Sequence, residues 1–78
     1  MSMQALYEIA GSDRAWAAQR AAMVIAITEQ LTAAQISREE ALELMQDLVR
    51  MDQLDSEADD IELKTALVSA VWAVAQVV

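Results

Sequence analysis

A chain of 78 residues with no proline and one glycine, Gly11, contains almost nothing that stops a helix. Strand signals are absent too. No apolar run is bounded by the Gly, Pro or Asn-Gly chemistry that hairpin turns require. The chain therefore reads as all-α, one domain over residues 1–78: a small antiparallel bundle of three or four helices.

Local signals place those helices near 3–10, 13–34, 38–54 and 57–77. The first has Leu6, Ile9 and Ala10 on one side, with Gly11 placed to end it. Ser12 offers a cap to the second helix, and Asp13 suits the positive end of its dipole. Along the second helix, Trp16, Arg20, Met23, Val24, Ile27 and Leu31 recur at the spacing of a core-facing stripe. Its other side carries Ala15, Ala18, Ala22, Ile25 and Ala26, small residues that let another helix approach closely. The third helix has the clearest start. Ser37-Arg38-Glu39-Glu40 is a capping box, with Ile36 just before it as a staple. Leu42, Met45, Leu48 and Val49 follow as its core stripe, widened by Leu44 and Met51. The last helix takes Ser56 or Asp55 as its cap, and from Thr65 to Val78 it carries no charge.

Small chains bury a modest share of their surface, and most gain stability from disulfides, metals or association. Here there is no Cys and no His, which removes disulfides, thiolate chemistry and the common zinc sites. Hydrophobic residues reach 56%, against about 45–50% in ordinary domains. With aromatics restricted to Tyr7, Trp16 and Trp72, the excess lies in slender side chains suited to helix packing. Association is the expected remedy: the chain reads as a structural or assembly component that completes its core as a homo-oligomer or by docking on a larger protein. Trp16, Ala18, Ala22, Ile25 and Ala26 on the second helix, and Val68, Val71, Trp72, Ala75 and Val78 on the last, are the candidate interface.

A net charge of −8 repels nucleic-acid backbones, so direct DNA or RNA binding is not expected. Six acids fall between Asp52 and Glu62: Asp52, Asp55, Glu57, Asp59, Asp60 and Glu62. A calcium loop needs Gly at its sixth position and Glu at its twelfth. Counted from Asp55, those positions hold Asp60 and Ala66; counted from Asp52, the sixth is Glu57. Neither register fits, and no metal or cofactor is expected. The bland reading makes the run a solubilising helix start. The sharper one makes it an acidic surface by which a small inhibitor or adaptor occupies a basic site on a host protein.

No nucleophile–base pairing or phosphate loop is present, so the chain reads as no enzyme. The uncharged tail from Thr65 has fourteen residues, short of the roughly 20 that span a bilayer. Met1 to Ala10 has no basic start and contains Glu8, which points to a cytoplasmic protein without a secretory signal.

The run SREEALELMQDLVRMDQLDSEADDIELKTALV, Ser37 to Val68, resembles small helical proteins of tailed bacteriophages. That resemblance implies a virion component, an assembly factor or a small host-directed protein, in a virion or in bacterial cytoplasm. It assigns no functional residue.

Overall fold

The computed structural model describes residues 2–77, all of its regular structure helical. Five segments follow one another: α1 (Ser2–Ala10), α2 (Ala15–Thr32), α3 (Arg38–Leu48), α4 (Met51–Glu57) and α5 (Ile61–Val77). Helix α1 packs on α2 and α5, and α3 packs mainly on α2. Leu6 and Ile9 of α1, Ala17, Ala21 and Val24 of α2, Ala41 and Met45 of α3, Leu54 of α4, and Leu67, Val71 and Val74 of α5 fill one core.

The start of α3 follows directly from its sequence. Ser37 Oγ accepts the Glu40 backbone N–H at 3.1 Å and donates to Glu40 Oε1 at 3.4 Å. Other boundaries lie elsewhere than local signals suggest. Helix α2 begins at Ala15 rather than 13, with Arg14 extended at its N-cap position. Ser12 Oγ accepts from the Arg14 N–H at 3.1 Å, so the hydroxyl caps a turn before the helix. The cap of α5 is Asp60, whose Oδ1 accepts from the Leu63 N–H at 3.0 Å, and the helix starts at Ile61 rather than 57. Ser56 instead donates to the Gln53 carbonyl inside α4.

Two corrections have tertiary causes. The helix expected over 38–54 is broken at Val49–Arg50. Residues five apart on one helix point about 140° away from each other, so an unbroken helix could not bury both Val49 and Leu54. With the break, both are buried, Leu54 completely. The carbonyl of Leu48, which a continuing helix would engage, accepts instead from Arg20 Nε at 2.9 Å. The end of α2 is also earlier than 34. Ala34 takes φ 60°, Ala34 N–H bonds to the Leu31 carbonyl and Gln35 N–H to that of Gln30. This is a Schellman closure built on alanine, a residue that meets a steric penalty in that conformation. Gly11, by contrast, ends α1 without a positive φ.

Within the expected stripes, Met23 and Leu44 are exposed, and Leu42 and Leu48 are only half-buried. Ala17 and Ala21 take the centre of the buried side of α2, which turns Met23 to its outer edge. Met51 lies outside the described side chains.

The radius of gyration is 11.7 Å, close to the roughly 11.5 Å of a compact chain this long. The accessible surface of 4868 Å² likewise matches about 4,700 Å² for a compact single chain of this mass. A single copy is therefore already compact. Any case for association rests on the character of the remaining surface.

Candidate interaction surface

The two faces singled out in the sequence divide between core and exterior. On α2, Trp16 is buried, Ala18 and Ile25 are half-buried, and Ala22 and Ala26 are exposed. On α5, Val71 and Ala75 are buried, Val68 is half-buried and Trp72 is 41% exposed; Val78 lies outside the described residues. Trp16, Val71 and Ala75 are thus core residues of the single chain rather than surface positions. Ala75 and Val71 lie four apart on the side of α5 that Leu67 and Val74 also occupy, and this side faces α1 and α2.

What stays outside has a definite pattern. The exposed centre line of α2 is Ala15, Gln19, Ala22 and Ala26; that of α5 is Thr65, Ser69, Trp72 and Gln76. Both follow spacings of four, three and four, the rhythm by which one helix lies along another. Met23 flanks the first line, and Ala66 and Val77 flank the second, all exposed. Between Ala15 and Ala26, and between Thr65 and Gln76, these lines carry no charge; exposed Glu29 and Glu62 lie one step beyond them, at the end of α2 and the start of α5. Arg20, the one charged residue between Ala15 and Ala26, has a side chain only 12% exposed.

The acidic segment is largely occupied by the chain's own cations. Arg20 reaches Glu57 through two bonds, Nη1 to Oε1 at 3.2 Å and Nη2 to Oε2 at 3.0 Å. Its Nη1 also donates to the Trp16 carbonyl at 3.0 Å. One guanidinium thereby joins α2, the end of α3 and α4. Asp59 receives two donors on separate oxygens: Trp16 Nε1 on Oδ1 and Arg14 Nη1 on Oδ2, both at 3.0 Å. Lys64 pairs with Asp55. Asp60 is spent on the α5 cap, and Asp52 and Glu62 remain exposed outside these pairs. The hydrogen bond from Arg20, and then its charge, hold the Glu57 carboxyl below its ordinary value of 4.5, against a small opposing effect of desolvation.

Arg20 had only the place of a polar intruder in a core stripe, and that position is the signal that could have found it. A cation at a core-facing position must meet acceptors from the elements packed there. Beside it, Gln19, Met23, Asp47 and Gln53 join Arg20, Leu48 and Glu57 around an open cleft of about 200 Å³. Among the described residues, no cluster of three or more carboxylates is arranged to hold a metal ion. None of their helices is long and apolar enough to cross a membrane.

Comparison with protein-family models, with curated proteins and with solved structures returns no match for this chain.

Proposed function

We propose that this protein is a non-enzymatic interaction module, a structural or assembly component that forms a homo-oligomer through the outward faces of α2 and α5. The observation that carries the reading is the uncharged exposed stretch on each helix, Ala15 to Ala26 on α2 and Thr65 to Gln76 on α5, in a chain of net charge −8. Like-charged copies can meet only where the repelling groups are not, and a small-residue line at helical seam spacing permits a close approach. Trp72 supplies a partly exposed aromatic anchor beside it.

The five-residue connection 33–37 between α2 and α3 supports an antiparallel arrangement of those helices as part of the same proposal. The resemblance of Ser37–Val68 to small phage proteins agrees with a virion or assembly role. We take the acidic segment as internal framework rather than as a site for a basic host protein, because Asp55, Glu57, Asp59 and Asp60 already have partners within the chain.

Light scattering on the intact protein, alone and as Ala22→Glu and Trp72→Asp, tests the proposal. Each substitution places a charge at an exposed position outside the buried core. Loss of association with retained helicity is expected. Association unchanged in both variants would remove α2 and α5 as the interface.

A further inference from the structure

We propose that residues 51–59, α4 and the linker up to the Asp60 cap of α5, form a strap that is held down by ion pairs and opens as one unit when those pairs are screened, while the other helices stay folded. Helix α4 has seven residues, too few to be stable alone in water. It packs extensively on none of its neighbours. Leu54 is its one fully buried side chain among those described, and Ala58 in the linker is half-buried.

Among the described side chains, the rest of the strap's attachment is ionic and polar. Asp55 meets Lys64 of α5, Glu57 meets Arg20 of α2, and Asp59 meets Arg14 and the Trp16 indole. The three carboxylate side chains are 53%, 52% and 59% exposed, so dissolved ions reach every pair. Non-helical residues flank α4 on both sides, Val49–Arg50 before it and Ala58–Asp60 after it.

Lifting the strap returns Arg14, Lys64 and the Trp16 indole N–H to water, but does not strand the mostly buried Arg20. Arg20 keeps its bonds to the Leu48 and Trp16 carbonyls, neither of which belongs to the strap. Lifting uncovers the seat of Leu54 and the edge of Trp16, apolar surface enclosed in the closed form. This opening is a local, sub-global event, independent of whether copies of the chain associate.

Amide hydrogen exchange on the intact protein tests it, read at Leu54 and Ala58, whose N–H groups bond to the carbonyls of Arg50 and Leu54, and at Val24 and Val71 in the framework. Between about 20 mM and about 500 mM NaCl, the two strap amides should exchange about tenfold faster, as three exposed pairs of modest worth are screened. The framework amides should not change. A Glu57→Gln, Asp59→Asn double variant should show the fast strap exchange already at low salt, with most of the salt response gone. Strap amides that exchange at the framework rate, with the framework's salt response, would overturn the proposal. So would strap exchange indifferent to both salt and the double substitution.

Discussion

Arg20 on α2 and Glu57 on α4 face each other across a two-bonded pair, yet the pair is only the outer half of what Arg20 does. The inner half is the bond from Nε to the Leu48 carbonyl, the acceptor left over where α3 stops. The exposed carboxylate is a weak partner in water; the half-buried carbonyls are where the guanidinium matters most.

That division gives a ranking. Arg20→Gln should lower unfolding free energy by about 2 kcal/mol, because charged donors to the Leu48 and Trp16 carbonyls are lost. Glu57→Gln should cost clearly less. Urea denaturation of both variants checks the order, and a larger loss for Glu57→Gln would contradict it.

Acid should act through the same pair in one direction. Arg20 holds the Glu57 carboxyl below 4.5 in the folded chain, so on acidification the unfolded chain takes up this proton first. The contribution is complete above the unfolded value and disappears as pH falls through the lower folded one. The stability difference between the native chain and Glu57→Gln should therefore be steady near neutral pH and shrink below about pH 4. Urea midpoints measured across that range check it; a difference that grows on acidification would contradict the sign.

The alanine at the end of α2 offers a gain. Ala34 sits at φ 60°, where glycine meets no Cβ clash. Ala34→Gly should stabilise the chain by up to about 1 kcal/mol, visible as a raised thermal midpoint. A lowered midpoint would mean that the Schellman closure is not the conformation in solution.

Leu54 and Leu67 are both fully buried, yet they sit on a seven-residue segment and on a seventeen-residue helix. Leu67→Ala should cost about 3–4 kcal/mol. Leu54→Ala should cost less, about 2 kcal/mol, since a lifted strap relieves part of the cavity. Denaturant unfolding of the pair reads the difference, and equal losses would argue for a strap as firmly built in as α5.

These outcomes trace how much of the molecule its sequence discloses. Helical class and the α3 cap are local properties: Ser37 and Glu40 need only each other, and the absence of Pro needs no context. The break at Val49–Arg50 is not local, since no breaker residue marks it; it exists because Val49 and Leu54 both reach the core and Arg20 takes the Leu48 carbonyl. The end of α2 was hidden for a related reason, as alanine rather than glycine occupies the left-handed position. On the candidate surface, periodicity identified Ala22, Ala26 and Trp72 as helix-face residues but could not separate them from Trp16, Val71 and Ala75. Which of two apolar sides faces inward depends on the neighbours. Here Ala17 and Ala21 settle it, filling the contact where small size is needed.

The most direct measurement is the mass of the native protein in solution by light scattering, at micromolar concentration and moderate salt. Association through the uncharged stretches Ala15–Ala26 of α2 and Thr65–Gln76 of α5 should give a defined multiple of the 8.6 kDa chain, reduced to one chain by Ala22→Glu or Trp72→Asp. A stable, monodisperse 8.6 kDa species for the native sequence would contradict it.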